Sequence, residues 1–195
     1  MLVSATALKT RYVVLDRDGT VIEERNYLSN PKEVKLIDGA AAALRALSQD
    51  GYGLVIITNQ SGIGRGLFHE STVQEIHRKI TDLLALEHVT IDGIYFCPHT
   101  PEDRCICRKP ALGLFEQAVR DLCFDPRASI VIGDKASDIE MGRRAGATTF
   151  LVRTGYGTHF AQEKSLRADY IVDDLPAAVE IIRRLHKGID HTSSS

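Results

Sequence analysis

Two carboxylates stand two positions apart at Asp16 and Asp18, directly after the apolar run Val13-Val14-Leu15 and before Gly19-Thr20. A turn at a strand's end can present both acids on one ligand-facing edge, one for nucleophilic attack and the other for proton transfer. An acidic turn capping a helix is the plainer reading. Asp-x-Asp-Gly also opens calcium loops, but the later glutamate and the flanking helices of such a loop are missing. Two aspartates this close repel, and both ionise comfortably only beside a compensating cation. A third acid, Asp134, follows a second apolar run, Ile130-Val131-Ile132, and the resulting set of hard oxygen ligands suits magnesium. Asp138 reads equally as a ligand through water or as a first-turn helix acid. The segment Thr58-Asn59-Gln60-Ser61 closes another apolar run with the hydroxyls and amides that hold phosphate oxygens, and Arg108-Lys109 offers the cations a transferring phosphoryl group needs.

Cys97, His99, Cys105 and Cys107 lie within eleven residues and supply three thiolates and one imidazole. That is the full tetrahedral ligand set of a closed structural zinc site, which leaves no vacancy for a hydrolytic water. The alternative is a group of buried reduced thiols. Cys123, inside a helical pattern, is expected in the core. His69, His77, His88, His159 and His186 have no acid partner at useful spacing and read as surface or packing residues, and His191 lies in the tail. There is no Gly-x-x-x-x-Gly-Lys-Ser/Thr loop, and Gly62, Gly64 and Gly66 lack the rest of a dinucleotide fingerprint, so they are expected to shape a mobile loop.

These groups need a scaffold that brings them to one edge. Apolar runs at 11–15, 53–58, 91–96, 129–132, 148–152 and 170–172 read as strands, and helical patterns fall at 39–50, 71–87, 112–123, 136–145 and 176–187. Strands alternating with helices predict an α/β fold, a doubly wound, mainly parallel Rossmann-like sheet, whose ligands collect at the carboxyl ends of the strands. Residues 21–36 read as a polar connection. The 195 residues suit one domain, assigned to 1–187 with a metal loop at 97–107 and a flexible tail at 188–195. With 44% hydrophobic and 26% charged residues the chain is not disordered, collagenous or a long coiled coil. A net charge of −2 leaves no excess to hold nucleic acid or an anionic membrane. The first sixteen residues carry neither a basic leader nor a span long enough for a bilayer, which predicts a cytoplasmic protein. A monomer is expected.

Asp16-Arg17-Asp18-Gly19-Thr20, Thr58-Asn59-Gln60, Lys109 and Gly133-Asp134 resemble the four ordered motifs of the haloacid dehalogenase superfamily. Within it, Tyr27 and Pro31, the stretch from Thr58 to Gly66, the cysteine loop and Gly133 to Asp138 resemble the D-glycero-D-manno-heptose 1,7-bisphosphate 7-phosphatases, over residues 11 to 157. The resemblance implies that Asp16 attacks phosphorus, that Asp18 protonates the leaving sugar oxygen and then activates water, and that Thr58 and Lys109 hold the phosphoryl oxygens while Arg108 orients the substrate. It implies magnesium between Asp16, the backbone carbonyl of Asp18 and Asp134. It also implies a sugar-phosphate site formed by Glu24, Arg25, Asn26, Tyr27, Asn59, Gln60, Ser61, Arg108, Lys109 and Lys135, and a place in nucleotide-activated heptose synthesis for lipopolysaccharide or related glycans. No insertion is long enough for a separate cap domain. The related histidinol-phosphate phosphatases share the acids and the metal loop, so a histidinol phosphatase or another small phosphate-ester phosphatase is the alternative. A zinc-loop binding module whose acids are only structural is the non-enzyme alternative, and a phosphotransferase or mutase on the same fold is a further enzyme class.

Overall fold

The computed structural model of the chain describes residues 9–190, the last five as backbone only. Six strands form one sheet: β1 Tyr12–Leu15, β2 Gly53–Asn59, β3 Gly93–Cys97, β4 Ile130–Gly133, β5 Thr148–Val152 and β6 Tyr170–Val172. They pair in the order β3-β2-β1-β4-β5-β6, and every pair is parallel. The inner strands β1 and β4 are buried at every residue, whereas the edge strands β3 and β6 are mostly half-buried or exposed. Continuous β-branched and leucine runs are what a sheet covered on both faces requires.

Alternation along the strands divides the core in two. Val13, Leu15, Leu54 and Ile56 point to one face and pack with α1 (Ala40–Gln49), α2 (Glu70–Leu86) and α6 (Leu175–Asp190). Tyr12, Val14, Val55 and Ile57 point to the other and pack with α3 (Gly113–Leu122) and α4 (Ala136–Ala145). Each helix meets the sheet along an apolar stripe, such as Val73, Ile76, Ile80 and Leu84 on α2. The doubly wound expectation holds, and no separate cap domain is inserted among the described residues.

Several details differ from the sequence reading. Residues 21–36 are more than a polar connection: Val21, Ile22, Leu28 and Val34 are buried, and Ile22 bridges Leu36 in an antiparallel pair. The connection folds back on itself as a short arm beside the end of β1, with the Glu23 N–H donating to the Lys35 carbonyl at 2.9 Å. Cys123 is exposed, not core, because α3 stops at Leu122 and Cys123 turns the chain out of the helix at φ 55°. His77 is buried on α2 and so falls under the packing alternative. Short helical pieces at Pro31–Glu33, Pro101–Asp103, Pro126–Ala128 and α5 (Gly157–Phe160) were not predicted, since one turn is too brief to show a period. Helix α6 continues to Asp190, past the expected stop at Lys187, and the remaining tail at 191–195 lies outside the described residues. No helix among the described residues is long and apolar enough to cross a membrane.

Ile56, fully buried at the centre of β2, reports on this core. Ile56→Ala is expected to cost about 2–5 kcal/mol, read as a lower denaturation midpoint at unchanged slope in urea.

Candidate active site

Strands β1 and β4 are neighbours whose helices cover opposite faces, so the crevice beyond their carboxyl ends is the topological switch point of the sheet. The Asp16 N–H extends the ladder, donating to the Ile132 carbonyl at 2.9 Å, and brings Asp16 level with Gly133, one residue before Asp134. Close approach there requires glycine. At Gly19, φ 85°, an added Cβ would lie 2.2 Å from Asp134 Oδ2, and at Gly155 it would meet the same oxygen at 2.2 Å.

The centre of the site is Lys109, 4% exposed. Its Nζ donates to Asp16 Oδ1 at 2.7 Å and to the Ile57 carbonyl at 2.6 Å, and lies 2.7 Å from Asp138 Oδ1. Burial works against the Lys109 charge, but Asp138 and Asp16 outweigh it and raise the net pKa. Burial likewise works against ionised Asp16, and Lys109 and Lys135 reverse it to hold the carboxyl below its ordinary value. Asn59 fixes where this ammonium starts, accepting from the Lys109 N–H at 3.0 Å and donating to the Lys109 carbonyl at 3.2 Å. Asp138 also accepts from the Lys135 N–H at 3.0 Å and caps α4, so the helix-acid alternative is observed directly.

Asp134 is fully buried. Its Oδ2 accepts from the Tyr156 N–H at 2.8 Å, while Oδ1 has no hydrogen-bond partner and the Lys135 ammonium stands 3.6 Å away. Burial, then the charge of Asp16, push this carboxyl up to about 8. Asp16, Asp134 and Asp138 converge with oxygens within 4.8 Å of one another, a donor set for a hard cation. Lys135 spans the mouth, 2.9 Å from Glu24 Oε2 and 3.9 Å from Asp16 Oδ2, with its Nζ 5.1 Å from the centroid of the Tyr156 ring.

Asp18 is held differently. Arg17 Nε and Nη2 donate to its two oxygens at 3.0 and 2.9 Å, and Gln60 Nε2 donates to Oδ2 at 2.9 Å and to Thr58 Oγ1 at 2.8 Å. Outside this core lies a cleft of about 220 Å³ lined by Asp18, Glu24, Arg25, Asn26, Tyr27, Asn59, Gln60, Ser61 and Lys135, together with Tyr156. A smaller hollow, about 30 Å³, touches Asp16, Thr58, Lys109 and Lys135. The residues expected in catalysis and substrate binding, Arg108 excepted, therefore line one or other of two cavities that share Asp18, Asn59 and Lys135, while Asp134 lies in neither. The Arg108 Nη1 instead donates to the His99 carbonyl at 3.1 Å, and the residue lines neither cavity.

The cysteine loop leaves β3 beside this region. Cys97, His99, Cys105 and Cys107 converge, with His99 Nδ1 and Cys107 Sγ 3.2 Å apart and Cys105 and Cys107 sulfurs 3.2 Å apart. The four could hold one tetrahedral ion of zinc's preference. Despite burial, hydrogen bonds from neighbouring thiols and the loop backbone bring the Cys105 thiol down to about 7.

The HAD-hydrolase-like family model matches residues 106–178. The D-glycero-beta-D-manno-heptose-1,7-bisphosphate 7-phosphatase of Haemophilus ducreyi is 41% identical over 171 residues, covering 84% of this chain and 93% of the relative. The Haemophilus influenzae enzyme of the same name is 40% identical over 90% of this chain and 98% of its own length. The crystal structure of D,D-heptose 1,7-bisphosphate phosphatase from B. bronchiseptica, complexed with magnesium and phosphate, superposes with a TM-score of 0.83 at 34% identity, covering 89% of this chain and 98% of that one. The chain belongs to the heptose 1,7-bisphosphate 7-phosphatase family of haloacid dehalogenase-like hydrolases.

In this family member the sequence reading missed three parts of the site. Arg17 stands in the acid motif without an expected role of its own, yet it is 1% exposed and grips Asp18. Thr154, Gly155 and Tyr156 follow β5, and Thr154 Oγ1 donates to the Gly19 carbonyl at 2.6 Å, seating that loop on the acid motif. His77 lies sixty residues from Arg17 in sequence and 3.3 Å from it in space. The signal available for the second of these was its place after a strand; the other two left none.

Lys109→Met leaves Asp16 and Asp138 buried without their shared counter-charge and is expected to cost about 3–5 kcal/mol at neutral pH. Adding Asp138→Asn removes one stranded charge, so the double variant is expected to regain part of that loss in equilibrium unfolding. Equal stability of Lys109→Met and the parent would contradict the central role given to this ammonium.

Proposed function

We propose that this chain hydrolyses the 7-phosphate of D-glycero-D-manno-heptose 1,7-bisphosphate and leaves the 1-phosphate in place. The observation that carries the reading is Asp16, a buried carboxyl at the switch-point crevice, held below its ordinary pKa by Lys109 and lining the small hollow that shares Asp18, Asn59 and Lys135 with the polar cleft. The named activity of relatives about 40% identical over most of the chain supports the substrate.

Leaving aside the Arg17–Asp18 pair, four acidic side chains, Asp16, Glu24, Asp134 and Asp138, gather around two ammonium groups, Lys109 and Lys135. The deficit and the unpartnered Asp134 Oδ1 both fit a divalent ion. Asp16, Asp134 and the Asp18 backbone carbonyl would hold magnesium, which when bound shields the negative charge of the phosphoryl group from that of the nucleophile. Lys109 and Thr58 hold phosphoryl oxygens and align the phosphorus with Asp16. An Asp16 oxygen attacks, the bond from phosphorus to the sugar oxygen breaks, and an Asp18 proton goes to the leaving oxygen. Asp18, now a carboxylate, takes a proton from water as that water attacks the aspartyl phosphate and frees Asp16. Glu24, Arg25, Asn26, Tyr27, Ser61 and Lys135 orient the sugar, with Asn59 and Gln60 acting chiefly on the reacting residues they touch. Arg108 joins them only when its side chain leaves the His99 carbonyl. The cysteine and histidine cluster fits structural zinc, since four soft and borderline donors converge at one point. We assign the enzyme to the cytoplasm and to a monomeric state, with the phosphatase domain ending near residue 187.

With magnesium and the heptose bisphosphate, the purified protein is expected to release one equivalent of phosphate and to keep the 1-phosphate signal in phosphorus NMR. Asp16→Asn is expected to abolish turnover. Loss of the 1-phosphate, or faster turnover of histidinol phosphate, would replace this substrate assignment. Metal analysis of protein purified under reducing conditions is expected to find one zinc per chain, and Cys105→Ser to lose it with a fall in melting temperature.

A further inference from the structure

We infer that His77, on helix α2, is a positioning residue for Asp18 and acts through the buried guanidinium of Arg17. Arg17 is 1% exposed and sits in the wall of the cleft, behind Asp18. Two of its nitrogens are committed to the Asp18 carboxylate, at 3.0 Å from Nε and 2.9 Å from Nη2. The third, Nη1, lies 3.3 Å from His77 Nε2. A guanidinium has only donors, so the nitrogen facing it must be the accepting one, which places the His77 proton on Nδ1. Burial, with the Arg17 charge adding to it, pushes the His77 pKa down to about 3, in keeping with a neutral ring. The Phe96 ring, with its centroid 5.6 Å from that of the imidazole and inclined at 63°, packs against it and limits its rotation.

The geometry has a consequence for Asp18. Its two oxygens are held by Arg17 and Gln60, and among the described residues His77 Nε2 is the side-chain acceptor that meets the free nitrogen of the Arg17 fork. Without an acceptor at the position of His77 Nε2, a donor of a fully buried cation is stranded. The fork then rotates to find another partner and takes the carboxylate with it. A displacement of this kind harms proton transfer more than phosphate binding, since Lys109 and Asp16 do not touch His77 or Arg17 through any of these bonds.

The inference rests on Asp18 serving as the proton donor in the proposed reaction, and the test separates the two. We compare kcat/KM for the heptose bisphosphate, whose sugar oxygen needs a proton to leave, with that for p-nitrophenyl phosphate, whose phenolate does not. His77→Leu is expected to lower the first about 10- to 100-fold with KM nearly unchanged and the second less than about 3-fold. His77→Gln, which restores an acceptor, is expected to recover most of the loss. Equal losses on both esters, no loss on either, or failure of the glutamine variant to recover would overturn the role given to His77. Nitrogen-15 NMR of the unaltered enzyme tests the same point without any variant: a protonated His77 Nε2 would overturn it, and a proton on Nδ1 supports it. Absence of heptose bisphosphate turnover by the unaltered enzyme would instead refute the substrate assignment. The leaving-group comparison is then made with whichever alkyl phosphate that enzyme hydrolyses.

Discussion

A lysine ammonium taken out of water must find acceptors for its protons and charge to balance its own, and Lys109 finds acceptors in Asp16 and the Ile57 carbonyl and charge in Asp16 and Asp138. Those partners come from the end of β1, the first turn of α4 and the body of β2, so one charged group joins three elements that are remote in sequence. The arrangement also settles the state of the nucleophile. Desolvation alone would raise the Asp16 pKa, and the nearby ammonium groups outweigh it. A carboxyl at the same place without those ammonium groups would be shifted toward its neutral, less nucleophilic form.

The cysteine loop connects to this centre through the backbone. It begins at Cys97, whose carbonyl accepts from the Gln60 N–H at 2.7 Å, and it delivers Lys109 two residues after Cys107. The Pro98 carbonyl accepts from the Gly64 N–H at 2.9 Å, and a Cβ at Gly64 would lie 2.9 Å from that oxygen, so the glycine-rich turn is seated on the loop rather than free. An ion at the four ligands would therefore stiffen two walls of the site at once.

The acids of the pair two residues apart do different work because they are paired differently. Asp16 faces ammonium groups and shares its space with Asp134, whereas Asp18 is gripped by a planar fork and an amide. A point charge leaves an oxygen of Asp16 open to a substrate, while a bidentate pair sets the orientation of a carboxylate that has to hand over a proton. Separation of roles by environment is a general way for neighbouring carboxyl groups to act as nucleophile and acid.

The sequence by itself determined the order of elements, the parallel sheet and the two sets of metal-ligand types. Buried strands must be continuous apolar runs, as at Val13 to Leu15 and Ile130 to Ile132, and the chemistry of Asp16, Asp134 and the cysteine cluster is carried by residue type and short spacing. The turn acids could be read for the same reason, since their positions follow directly from where the strands end. What only the tertiary structure decided is who pairs with whom across long separations. Lys109 reaches Asp16 over 93 residues, Gln60 reaches Asp18 over 42, and His77 reaches Arg17 over 60. No local pattern encodes such pairs, because they depend on which strand ends and helix faces the sheet order places side by side. The same limit hid the burial of Val21, Ile22, Leu28 and Val34 and the seat of Tyr156 on Asp134, where the decisive partner comes from another part of the chain.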